Sequence, residues 1–195
     1  MSTIYFVRHG EYENSHIIPL RAKGYPLSQK GIKQIKKVAN YFQNKNIFTI
    51  FSSPMLRTKQ TASIIGEKLN LKIKISNLIN ELKSPFQEYD KKYLMEKIKN
   101  IYANQDHLKK GGETIEDIHK RVNKLVLKIL KDFQGKNIII ISHGDPIMIF
   151  LNKKDFTSNI LQSEVGNYKY IPKSGIVKVT FNTKNQIIGI KELDY

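Results

Sequence analysis

The sequence predicts an α/β protein built in three layers, with helices on both faces of a largely parallel central sheet. Short apolar runs rich in β-branched residues alternate along the chain with longer segments whose apolar positions recur at helical spacing. One run, Ile138-Ile139-Ile140-Ile141, is unbroken, as in a strand covered on both faces. The 195 residues, 40% of them hydrophobic, suffice for one core and would be cramped as two domains, so residues 1–195 read as a single domain.

Ser2 to Val7 reads as a buried strand that stops at Arg8, followed by a loop to about Leu27. Ser28 can cap a helix with Ile32, Ile35, Ala39 and Phe42 on its apolar face and Lys33, Lys36 and Lys37 around the rest. Ile47 to Phe51 is a second strand, Ser52-Ser53-Pro54 a turn, Leu56 to Leu69 a helix burying Ala62, Ile65 and Leu69, and Lys72 to Ile75 a third strand. From Leu82 to Gly112 the pattern is weak, broken by Pro85 and closed by Gly111-Gly112, and is read as a small cap insertion. A long amphipathic helix then carries Ile115, Ile118, Val122, Leu125 and Ile129 on one stripe, before the central strand Asn137 to Ser142. Lys153 to Lys173 reads as a mobile stretch, and Gly175 to Phe181 with Gln186 to Leu193 as a terminal hairpin around Asn182 to Asn185.

Composition narrows the function. No apolar run approaches the ~18 residues of a membrane span, and the start of the chain is too quickly charged for a signal peptide, so a cytoplasmic location and no membrane partner are expected. With no cysteine, thiolate catalysis, disulfides and Cys-based zinc sites are excluded. A net charge of +16 invites a polyanion, yet the lysines are scattered and form no block. Arg8, Arg21, Arg57 and Arg121 are the only arginines, and the wealth of Lys, Ile and Asn is what AT-rich coding produces. No RNP-like aromatic pattern, zinc finger or basic helix supports nucleic-acid binding, so a solvated surface is preferred to a nucleic-acid partner. His16, His107 and His119 lack partners at ligand spacing and are assigned to surface or packing roles; no metal or other cofactor is expected.

The chemistry lies at strand ends. Ligands of open α/β sheets bind beyond the carboxyl ends of strands, and two strands here end in histidine then glycine: Arg8-His9-Gly10 and Ser142-His143-Gly144. Each glycine would let backbone approach a ligand closely. A third strand leads through Ser52-Ser53-Pro54-Met55-Leu56 to Arg57. Two imidazoles and two guanidiniums on one rim suit a phosphate dianion, with Arg8 and Arg57 binding oxygens bidentately and a neutral imidazole able to attack phosphorus. Arg21 can greet a second anionic group of a substrate or be a plain loop cation.

With these pieces in order, followed through Gly24-Tyr25-Pro26-Leu27-Ser28-Gln29-Lys30-Gly31 and Arg57-Thr58-Lys59-Gln60-Thr61-Ala62, the sequence resembles the histidine phosphatase superfamily, also called phosphoglycerate mutase-like. The resemblance implies a phosphoglycerate mutase-like fold and a metal-independent phosphomonoesterase acting on a small phosphorylated substrate. His9 would become phosphohistidine, Arg8, Arg57 and His143 would surround the phosphoryl oxygens, and a mid-chain carboxylate would serve as acid and base. Glu81 stands where the family keeps that carboxylate, with Glu88, Glu113 and Asp145 as the alternatives. Where many members place an asparagine six residues past the nucleophile this chain has Ser15, with Asn14 one position earlier, and both are candidate substrate contacts beside Gly144. Lys83-Ser84-Pro85 replaces a glycine often found after the acid. A mutase returning phosphate to a second hydroxyl is the alternative reaction. The arginine-free segment 82–112 argues for hydrolysis, since the mutases it resembles usually carry extra arginines there.

Overall fold

A computed structural model of the protein describes residues 1–97, 101–152 and 170–195. The stretch expected to be mobile thus lies, except for residues 170–173, outside the described residues. The sheet is laid down by β1 (Ser2–Arg8), β3 (Ile47–Ser52), β4 (Ile73–Ile75), β6 (Asn137–Ser142), β7 (Ile176–Phe181) and β8 (Ile187–Leu193), in the spatial order β4-β3-β6-β1-β7-β8. The strands β4, β3, β6 and β1 run parallel, whereas β7 and β8 add an antiparallel hairpin beside β1. This is a mixed sheet with mostly parallel strands, and the hairpin lies where the sequence placed it.

Alternation along the strands divides the core in two. Ile4 and Phe6 of β1, with Ile138 and Ile140 of β6, pack on one face against α5 (Ile115–Asp132) and α6 (Gly144–Asn152). Tyr5 and Val7, with Ile139 and Ile141, pack on the other face against α1 (Gln29–Phe42) and α2 (Leu56–Leu69). The four isoleucines 138–141 are therefore buried alternately into both layers, at no more than 1% exposure each, and an Ile→Ala change at any of them should cost about 2–5 kcal/mol.

The helix ends obey their local chemistry. Ser28 Oγ accepts from Gly31 N at 3.1 Å to start α1. Thr114 and Asp117 exchange side chain and backbone hydrogen bonds in a capping box that starts α5. The buried face of α1 is Ile35, Val38, Ala39 and Phe42, while Ile32 stays partly exposed; α2 buries Ala62 and Ile65, with Leu69 only partly covered. In α5 the stripe is wider than the sequence suggested, because Val126 and Leu130 join Ile118, Val122, Leu125 and Ile129.

Between β4 and α5 the chain forms a 3-10 turn at Asn77–Ile79, then β5 (Tyr89–Asp90), which pairs antiparallel with β2 (Ile17–Ile18) from the first loop. The helices α3 (Lys91–Lys97) and α4 (Gln105–Lys109) follow, with a second 3-10 turn at Ile101–Ala103. Buried His107 ties this segment together. Its Nε2 bonds to the Glu113 carbonyl at 2.9 Å, so Nε2 carries the proton and Nδ1 accepts from Ser84 Oγ at 3.0 Å. Among the described residues, no helix is long and apolar enough to cross a membrane.

Candidate active site

The parallel ladder continues past the strand ends. His9 N donates to Ser142 O at 3.1 Å and Ser53 N to Ile141 O at 3.1 Å, so β1, β6 and β3 deliver His9, His143 and Ser53 side by side. Arg57 comes from the first turn of α2. Its Nε donates to His9 Nε2 at 3.2 Å, and its Nη2 lies 3.2 Å from His143 Nδ1 and 2.7 Å from the Leu20 carbonyl that accepts from it. It is 2% exposed, so nearly all its charge is turned inward.

These contacts fix both ring tautomers. His9 Nδ1 sits 2.8 Å from the Gly10 carbonyl, an acceptor, so the proton is on Nδ1 and Nε2 holds a lone pair. A guanidinium only donates, so His143 Nδ1 is the lone-pair nitrogen and Nε2 carries hydrogen. That hydrogen goes to Ser53 Oγ at 2.9 Å, and Ser53 in turn donates to Asn80 Oδ1 at 2.9 Å. Both imidazoles are held neutral, well below the ordinary histidine pKa. Burial is the main cause and Arg57 the next.

The rim opens on a cavity of about 400 Å³ lined by Arg8, His9, Arg57 and Glu81, among others. Arg8 anchors Nη1 on the Ile171 carbonyl at 2.7 Å and lies 5.1 Å from the Tyr170 ring centre, and its buried Nε has no hydrogen-bond partner among the described residues. Glu81 points Oε2 to within 3.7 Å of His143 Nδ1, too far for a hydrogen bond, while Oε1 accepts from Leu82 N at 2.9 Å. Behind it, Arg21 Nε and Arg121 Nη2 both donate to the Glu81 carbonyl, at 2.8 and 3.2 Å. Both arginines also bond to the Glu113 carboxylate, which accepts from Lys83 N as well and is held below the usual carboxylate range despite its burial.

Not every residue singled out in the sequence reaches the cavity. Ser15 lines it, but Asn14 sits in an exposed left-handed turn (φ 55°) and is absent from its wall. Arg21 is spent on Glu81 and Glu113 rather than turned to the cavity. Glu88 is exposed and accepts from Tyr25, and Glu113 is engaged by two arginines, so neither carboxylate lines the cavity. The two glycines serve packing rather than ligand approach. A Cβ on Gly10 would lie 2.9 Å from the Gly31 carbonyl, and one on Gly144 would overlap the Tyr170 hydroxyl.

Two groups escaped the sequence reading. Asp145, named there only as an alternative carboxylate, is 9% exposed in the wall and accepts from Tyr170 Oη at 2.6 Å and Tyr102 Oη at 3.0 Å. Burial and the nearby Glu81 push it up to about 7. Lys173, at the end of the stretch read as mobile, also lines the cavity, with Nζ 3.6 Å from the centre of the Tyr12 ring.

The profile of the histidine phosphatase superfamily (branch 1) matches residues 4–179. The chain belongs to this superfamily. A phosphatase named PhoE and described as uncharacterized, from Bacillus subtilis, is 28% identical over 160 residues, which is 78% of this chain and 77% of that protein. Among solved structures, YhfR of Bacillus stearothermophilus superposes with a TM-score of 0.80 at 19% identity, covering 96% of this chain and 94% of that one. The phosphoglycerate mutase of Bacillus anthracis superposes at 0.79 with 17% identity, covering 98% and 92%. The histidine phosphatase fold is thus shared across proteins named for hydrolysis and for phosphoryl transfer.

Proposed function

We propose that the protein is a cytoplasmic, metal-independent phosphomonoesterase that works through a phosphohistidine on His9, with residues 82–112 capping the cavity. The observation that carries this reading is the tautomer of His9: the Gly10 carbonyl holds the proton on Nδ1, leaving the Nε2 lone pair beside Arg57 in a cationic wall. In the first step Nε2 bonds to phosphorus as the P–O bond to the leaving group breaks, and Glu81 gives the departing oxygen a proton. In the second, Glu81 takes a proton from water as that water attacks phosphorus and frees His9. Arg8 and Arg57 stabilise the charge on the transferring group, which is most of what phosphoryl transfer asks of a protein, while His143, neutral and behind the cavity wall, holds the Arg57 guanidinium through its Nδ1 lone pair.

Hydrolysis is preferred to mutase transfer because Arg8 and Arg57 are the arginines of the described cavity wall and both face the phosphoryl position. Arg21, which could have met a second anion, is already paired with Glu113. Brief reaction with a labelled monoester should leave a phosphoryl group on the wild-type protein that is stable in alkali and lost in acid. His9→Ala should trap none and turn over slower by ~10³-fold or more. Full activity in His9→Ala would overturn the assignment.

A further inference from the structure

We propose that Lys173 is a substrate-binding residue of this site, its ammonium group contacting the phosphate of the bound monoester. The inference rests on the reading of the cavity as a phosphoryl site and adds a cation that the strand-end motifs do not contain.

Lys173 is held in place by the backbone. The next residue, Ser174, has φ 63° and donates its N–H to the His9 carbonyl at 3.1 Å, while Gly175 O accepts from Arg8 N at 3.0 Å. The lysine therefore hangs from the same turn that clamps the nucleophile. Its Nζ packs 3.6 Å from the centre of the Tyr12 ring, and that ring lies 5.6 Å from both the His9 ring centre and Arg57 Cζ. Tyr12 is itself anchored through its hydroxyl to the Ile17 carbonyl at 2.9 Å, so the amine rests on a fixed aromatic face. Among the described residues, no carboxylate comes within salt-bridge distance of Lys173. A half-buried amine facing a cavity without a counter-ion is costly, and an anion in that cavity removes the cost.

The charges around Lys173 say which form it takes. Burial is the largest influence; Arg8 of β1 and Arg57 of α2 disfavour its charge, whereas Glu11 and Glu81 favour it, and the result is an amine pulled down to about 7. In the empty site above neutral pH, Lys173 is thus largely uncharged. A phosphate dianion beside it restores the ordinary preference for the ammonium form, so binding takes up a proton from solution. Between pH 7 and 9 the affinity for phosphate should then fall as pH rises, because the proton must be recovered at each binding event.

Isothermal titration of inorganic phosphate at about pH 8, in two buffers of different ionisation enthalpy, reads affinity and proton uptake together. The variants are Lys173→Met, of similar shape without charge, and Lys173→Arg, charged at every pH in the range. The Met variant should bind phosphate roughly 10- to 100-fold more weakly than wild type, the loss of one charge-assisted contact. The Arg variant should keep most of the affinity, and both should take up fewer protons than wild type. Wild-type affinity and proton uptake in a Met variant of native melting temperature would overturn the proposal. So would undiminished uptake in the Arg variant, which decides the matter even if Lys173→Met does not fold. A wild-type protein that binds no phosphate would instead refute the phosphoryl site itself, and Lys173's role with it.

Discussion

Arg57 is the residue on which the site turns, because its single guanidinium meets the lone pairs of His9 and His143 while it is fastened to the Leu20 carbonyl. That arrangement aligns both rings before any substrate arrives, and burial first, then the Arg57 charge, keeps them neutral. Glu81 is organised differently, by its main chain: Arg21 and Arg121 grip its carbonyl and leave Oε2 beside His143. If Glu81 protonates the leaving oxygen, its worth depends on how basic that oxygen is. Glu81→Gln should slow phosphorylation of His9 by an alkyl phosphate ~10²- to 10⁴-fold and by p-nitrophenyl phosphate much less, in single-turnover measurements. Equal slowing for both esters would move the acid role to Asp145, a carboxylate of the same cavity wall whose proton affinity burial raises. Arg8, His9, Arg57 and His143 were legible from sequence because each stands at a strand end or within a few residues of one. Asp145 was not singled out, since its tyrosine partners lie 25 and 43 positions away in sequence. Lys173 was invisible for a similar reason: only the return of the chain over the end of β1 brings it to the nucleophile.

Elements with one strong apolar stripe were the easiest to read: α2 spans the expected Leu56 to Leu69, and α1 and α5 contain the apolar positions expected of them. Helix α6 was missed. Its sequence Gly-Asp-Pro-Ile-Met-Ile-Phe-Leu-Asn buries Ile147, Met148, Ile149 and Phe150 in succession, and a helix covered on all sides has no period to detect. The β2–β5 ribbon was missed because two residues per strand give no alternation. The proposed cap depends less on such patterns than on one imidazole. His107 bridges Ser84 to Glu113, lies 6.4 Å from the Phe86 ring in a stacked geometry, and fills the space that a side chain on Gly112 would need. His107→Ala should leave the Ser84 hydroxyl and the Glu113 carbonyl unsatisfied and speed amide hydrogen exchange in residues 101–112 by roughly 10- to 100-fold. The amides of Ile138 to Ile141 should exchange as in wild type. Uniform acceleration across both regions would show that the cap and the sheet open as one unit.

At the scale of the whole molecule, the arginines separate from the rest of the charge. Of 33 basic residues, the four arginines all stand in or directly behind the cavity, while lysine supplies the remainder of a net +16. The titrating groups at the cavity also act on overall stability, with opposite signs. His9 and His143 are depressed, so their burial costs stability below the ordinary histidine pKa and less as pH rises. Asp145 is raised, so the stability it lends is full below about pH 4 and is lost as pH climbs through about 7. Asp145→Asn should therefore gain on wild type between pH 4 and 8, by at most about 1.4 kcal/mol per pH unit, in denaturant midpoints taken across that range. Parallel curves would mean that Asp145 titrates alike in folded and unfolded chains. The order of strands carries a consequence of another kind, in the life of the nascent chain. Strand β1 lies at the centre of the sheet, yet both its neighbours are made late: Thr3 pairs with Asn137 on one side and Ser2 with Phe181 on the other. At ~5–20 residues per second, a ribosome leaves the apolar segment Ile4-Tyr5-Phe6-Val7 without its partners for on the order of ten seconds. For that interval the first strand is an unprotected adhesive edge, so chaperone supply and slow expression at low temperature should govern the yield of soluble protein.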